Sequence, residues 1–209
     1  MRLLDPNNPL FRTLARFMDV VGLSLIWFFL CLPVVTIGPA SAALYRTIVA
    51  MMYEGSDDHF RRYFRSFRQN LKVGIPACIV AVVLGAVLYL GFQIMYAYRM
   101  SETGNHLVFA AYAVTMLFPL GTACYLFPLL GRFTFTVKGL YMTALQLALA
   151  HLPTTVAVVA VTGAAMVAMV VYPWALFFAP FLMSVIVASL LERVFRKHIP
   201  ENKQETTEN

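Results

Sequence analysis

The stretch 20–53, VVGLSLIWFFLCLPVVTIGPASAALYRTIVAMMY, limits the chain more than any other part: it is apolar almost throughout, yet Pro33, Gly38 and Pro39 interrupt it in the middle. A segment apolar enough to enter a bilayer, broken by residues that cannot continue a helix, reads as a membrane hairpin or a discontinuous helix. Composition agrees. With 60% hydrophobic and 12% charged residues, a water-soluble domain would lack the polar surface to cover itself. The chain is expected to be a multi-pass protein of the plasma membrane.

Four further apolar runs follow, 74–98, 107–130, 154–171 and 174–191. At about 1.5 Å per residue each is long enough for a hydrocarbon core of about 30 Å, the last two only just. The hairpin arms are shorter, about 26 Å for 20–36 and about 22 Å for 39–53, so a double crossing and a re-entrant loop both satisfy them. The fold class is therefore an all-α polytopic bundle: a single membrane domain over 1–198 and a disordered polar tail over 199–209. In front of the hairpin, 8–19 is expected to form an amphipathic helix, capped by Asn8, opened by Pro9 and presenting Leu10, Phe11, Leu14, Phe17 and Met18 on one face. That structured leader argues against a signal peptide, although 20–35 could serve as an apolar core and Ala40-Ser41-Ala42 resembles a cleavage site.

Basic residues set the expected orientation. All of the Lys and Arg residues except Arg46 and Arg99 lie before the hairpin (Arg2, Arg12, Arg16), between it and 74–98, after 107–130 (Arg132, Lys138), or at the end (Arg193, Arg196, Lys197, Lys203). An even number of crossings between these groups puts them all, and both termini, in the cytoplasm. Tyr96, Tyr98, Tyr112, Tyr172 and Trp174 then gather near the outer ends, as in an interfacial aromatic belt.

Between the hairpin and the next run, 56–72 is expected to be a cytoplasmic amphipathic helix. Phe60, Tyr63, Phe64, Phe67 and Leu71 recur at helical spacing, while Arg61, Arg62, Arg65, Arg68 and Lys72 occupy other faces. Ser56 suits its cap, and Asp57 and Asp58 its dipole. Such a helix would lie on the membrane surface as a contact for anionic lipid or a cytoplasmic partner. A weaker echo joins SFRQNLKVGIP, ending at Pro76, to LQLALAHLP, ending at Pro153. Each sets a proline before a crossing, as an internally duplicated architecture would.

Residues that carry chemistry are sparse. Cys31, Cys78 and Cys124 fall inside apolar runs, which suits small buried hydrophobes rather than disulfides or metal ligands. No Asp, Glu or Lys lies within an apolar run, and His59, His106, His151 and His198 form neither an HExxH pattern nor a carboxylate cluster. No nucleotide-binding or hydrolase motif is present, so neither enzymatic activity nor a cofactor or metal is expected, and nothing points to nucleic acid. Arg46 is the one charge at depth, placed to snorkel or to hold an anionic group. A binding site would best be sought at the hairpin break. There Gly38 frees the backbone, Pro39 suits a new helix start, Thr36 and Ser41 add hydroxyls, and Arg46 follows. The plainer reading of the same residues is a tight extracellular turn between two complete spans.

LPVVTIGPASAALY, SFRQNLK, LFPLLGRF and ALAHLPTT together resemble the YesL-type family, bacterial integral membrane proteins of unknown function common in Gram-positive bacteria. The similarity covers roughly 10–196. One departure is Ser24, where the family pattern is associated with Asn. The resemblance implies a place beside carbohydrate ABC transporters and brings no biochemical activity with it. The function expected is a non-enzymatic accessory or regulatory component of a carbohydrate ABC transport system. It would contact permease or ATPase subunits, lipid, and in one arrangement a second copy of itself. The alternative is a self-sufficient channel or facilitator for small solutes.

Overall fold

The computed structural model describes the backbone of residues 9–53, 58–100 and 105–198, and the side chains of 18–53, 58–100 and 105–192. Among them are seven α-helices and no strand: α1 Pro9–Cys31, α2 Ile37–Tyr53, α3 His59–Met100, α4 His106–Arg132, α5 Val137–Ala150, α6 Leu152–Val171 and α7 Ala179–His198. Short 3-10 turns, Val34–Thr36 and Pro173–Phe177, precede α2 and α7. The chain is all-α, as its composition implies.

At the centre stands α2. In its most apolar window, together with the preceding turn, 61% of residues are buried, against 17% for α3 and 11% each for α4 and α6. The cause is side-chain size: Gly38, Ala40, Ala42, Ala43 and Ala50 let neighbours close in, and Leu44, Ile48 and Val49 fill the space between. Helix α3 lies along α2 so closely that a Cβ on Gly38 would come within 2.9 Å of the Gly74 carbonyl oxygen. On the other side, a Cβ on Gly131 of α4 would meet the Ala42 carbonyl oxygen. Backbone-to-backbone approach of this kind is what small residues provide when lipid supplies no hydrophobic drive between helices.

Three expected boundaries move. The separate leader helix 8–19 is instead the start of one helix, α1, running on to Cys31; Asn8 lies outside the described residues, as does the tail 199–209. The expected surface helix 56–72 and the run 74–98 are likewise one helix, α3, of 42 residues with Pro76 inside it. A single proline removes one backbone bond, and nothing from Lys72 to Ile75 provides a break. Ser56 and Asp57 lie outside the described residues; the carbonyl of Asp58 accepts the first helical bond, from the Arg62 amide at 3.1 Å. Last, the run 174–191 is not one span: Pro173–Phe177 is a 3-10 turn, Phe178 is non-helical, and only then does α7 begin. Among the described residues, four helices are long and apolar enough to cross a membrane: α2 taken with its preceding turn (Val34–Tyr53), α3, α4 and α6. The two prolines of the sequence echo differ too. Pro76 sits within α3, whereas Pro153 opens α6 after His151 turns out of helical conformation.

Candidate functional site

The break itself falls earlier than Gly38. Helix α1 stops at Cys31, the chain bends through Leu32 and Pro33, and α2 begins at Ile37, with Gly38 and Pro39 already in its first turn. The Thr36 hydroxyl closes this corner by donating to the carbonyls of Leu30 (2.5 Å) and Pro33 (2.7 Å). Ser41 accepts from the Trp27 indole at 3.1 Å, tying α2 to α1. Gly38 and Pro39 are buried, Pro39 against Gly74. Arg46 is half-buried and engages a neighbouring group. It stands nine residues, about 13 Å, along α2 from Ile37. The hydroxyls there are spent on the fold.

The break is also not at the far end of the molecule. Cys78 Sγ donates to the Val34 carbonyl at 3.3 Å, and the Tyr63 hydroxyl of α3 donates to the Ala40 carbonyl at 3.2 Å. Beyond Cys78, α3 continues to Met100 for about 33 Å. Hence the hairpin tip packs where the basic part of α3 gives way to its apolar part.

A second place, missed in the sequence, is an ion pair in the core. Glu192 of α7 has a side chain only 1% exposed and is paired with the Arg132 guanidinium at the end of α4. The Tyr45 hydroxyl, from the middle of α2, donates to the other Glu192 oxygen at 3.2 Å. The Arg132 guanidinium also lies 5.7 Å from the centre of the Phe133 ring. Three helices are thus joined by one carboxylate. Sequence reasoning missed it because the last apolar run was closed at Leu191 and Arg132 was counted as an aqueous flanking charge. The usable signal was Glu192 itself, an acid one residue past an apolar run with no acidic neighbour.

A smaller polar contact links α1 to α3, with His59 Nε2 3.6 Å from an Asp19 carboxylate oxygen. Ser24 Oγ is buried in α1 with no hydrogen-bond partner. Among the described residues, no three His, Cys, Asp or Glu side chains gather to hold a metal ion.

The basic residues of α3 form the third place. Arg61, Arg65, Arg68 and Lys72 are all exposed and recur at the spacing of a single helical stripe, with exposed Phe60 and Phe64 beside it. Tyr63 and Ser66, on the opposite side, are buried. Arg62 is half-buried and already partnered, and so leaves the stripe.

With these three places located, comparison with known proteins adds one finding. Residues 20–92 match a family model described as Protein of unknown function, DUF624. The match runs from mid-α1, through the break and the basic stripe, into the apolar part of α3, and so covers the α1–α2 hairpin and its packing partner. No curated protein and no solved structure matches the chain.

Proposed function

We propose that the protein is a non-enzymatic accessory or regulatory component of a carbohydrate ABC transport system in a bacterial plasma membrane. The carbohydrate context comes from taking the DUF624 match and the YesL-type resemblance as one family. The observation that supports an accessory role is the outward stripe of α3. It stands on the same continuous helix as a lipid-facing apolar stretch, so a partner docked on the stripe is mechanically coupled to the membrane part. Arg61 and Arg65 offer charge to an acidic face of a cytoplasmic partner such as the ATPase, with Phe60 and Phe64 as anchors. Open space beside Gly85 and Gly163 leaves α3 and α6 free for close approach by permease helices or a second copy.

The channel alternative draws less support, since the buried threonine hydroxyls turn back onto the protein's own backbone. Thr47 donates to Ala43, Thr122 to Phe118 and Thr155 to Ala148, each at 2.8–2.9 Å, rather than lining a polar path. The test is co-purification in mild detergent from cells expressing a carbohydrate ABC system. Permease or ATPase subunits should be retained, and Arg61→Gln with Arg65→Gln should release the ATPase. Solute flux through liposomes containing this chain alone would overturn the reading in favour of a facilitator.

A further inference from the structure

We infer that the α1–α2 hairpin is a wedge that enters one leaflet of the bilayer only, on the side of α3's basic stripe, with lipid acyl chains covering its tip and anionic headgroups over Arg68 and Lys72. The inference rests on the apolar part of α3 crossing the bilayer and is independent of any transport role.

The tip consists of large apolar side chains with no protein over them: Phe29, Leu32, Val34 and Val35 are between 42% and 65% exposed. Such a cluster at the end of a tightly packed hairpin marks a surface that something apolar covers. Its position says what. The tip is fixed to α3 by the Cys78–Val34 hydrogen bond and by the contacts of Gly38 with Gly74 and Cys78. Directly beyond that point α3 exposes Ile79, Val80, Val82 and Val83, the start of its apolar surface. Tip and span therefore form one continuous apolar surface, and lipid that covers the second covers the first.

Depth follows from helical rise. About 33 Å of α3 remain between Cys78 and Met100, well over the roughly 15 Å of apolar depth in one leaflet, so a tip held at Cys78 cannot emerge on the opposite face. In the other direction, Lys72 lies about 9 Å and Arg68 about 15 Å from Cys78, within reach of headgroup phosphates for long side chains. Arg65 and Arg61 lie about 20 and 25 Å away, beyond the headgroup layer. The stripe therefore divides: its upper pair belongs to lipid, and its lower pair to the aqueous phase.

The test uses the full chain with its three native cysteines replaced by alanine, reconstituted alone in vesicles containing phosphatidylglycerol. A single Val35→Cys should resist an impermeant thiol reagent applied to either face. A spin label there should be reached by oxygen and by doxyl-lipid, and not by an aqueous nickel chelate. Labelling from the face opposite Lys72 would overturn the inference by showing a complete crossing; labelling from the Lys72 face would overturn it by placing the tip in water. In native mass spectrometry, Arg68→Gln with Lys72→Gln should weaken phosphatidylglycerol binding roughly thirtyfold, while Arg61→Gln with Arg65→Gln should leave it near the parent value. Equal effects of the two pairs would refute the division of the stripe.

Discussion

At the scale of single residues, two buried polar groups make opposite predictions. Glu192 is held by Arg132 and Tyr45, so removing either charge leaves the other stranded in a medium that cannot solvate it. Glu192→Gln or Arg132→Gln is expected to cost about 3–5 kcal/mol, whereas replacing both with apolar residues of similar volume should cost much less. Thermal unfolding in detergent of the two single variants and the double variant checks this; additive losses would show that the pair is not an energetic unit. Ser24, by contrast, is buried without a partner. Ser24→Ala removes a desolvated hydroxyl that makes no bond, and should leave stability unchanged or raise it by up to about 1 kcal/mol. A loss above that would mean the hydroxyl is engaged. Gly38 is a packing residue rather than a flexible turn. Adding a methyl there drives α2 off the α3 backbone, and Gly38→Ala should cost about 1–3 kcal/mol in the same assay.

The element that most changes the picture is α3. Read as two pieces, its basic segment would lie flat on the membrane; as one helix it carries that segment along its own axis, with Arg61 and Arg65 farther from the apolar part than Arg68 and Lys72. The two arrangements differ in a distance. Spin labels at Arg61 and Leu90, both exposed, are 29 residues apart and should be separated by about 43 Å in a continuous helix. A right-angle bend at Gly74 would shorten that to about 31 Å. Pulsed dipolar measurements in nanodiscs resolve the two, and the shorter value would restore the surface helix. Helix α2 is the counterpart: its apolar run made it read as a membrane segment, and the small residues within that run make it the element on which α1, α3, α4 and α7 converge.

For the whole molecule, the orientation expected from the basic residues makes a direct prediction. A cysteine at Lys138, in the first turn of α5, should be shielded from an impermeant thiol reagent in intact cells, while one at Asn105, before α4, should react. The reverse pattern would invert the protein in the membrane. With its tip packed at mid-α3, a hairpin that enters one leaflet and returns would satisfy the same parity as a double crossing.

What the sequence determined by itself is the class of the protein: a chain with 60% hydrophobic residues and so few charges can cover itself only with lipid, where helices or closed barrels satisfy the backbone, and its continuous apolar runs suit helices of about 20 residues rather than barrel strands of about 10. A break somewhere from Pro33 to Pro39 and a basic amphipathic pattern through Arg61, Arg62, Arg65, Arg68 and Lys72 were also legible, because proline chemistry and helical periodicity are local; that the break precedes Gly38 and that Arg62 leaves the stripe were not. What the tertiary structure decided is how these pieces are used. Thr36 and Ser41 spend their hydroxyls on neighbouring groups, Arg46 stands away from the break, α3 runs unbroken through Pro76, and Glu192 is buried against Arg132 and Tyr45. Each depends on which helices approach one another and how deep a given residue lies, and a carboxylate 60 positions from its cation and 147 from its tyrosine has no local pattern to announce it.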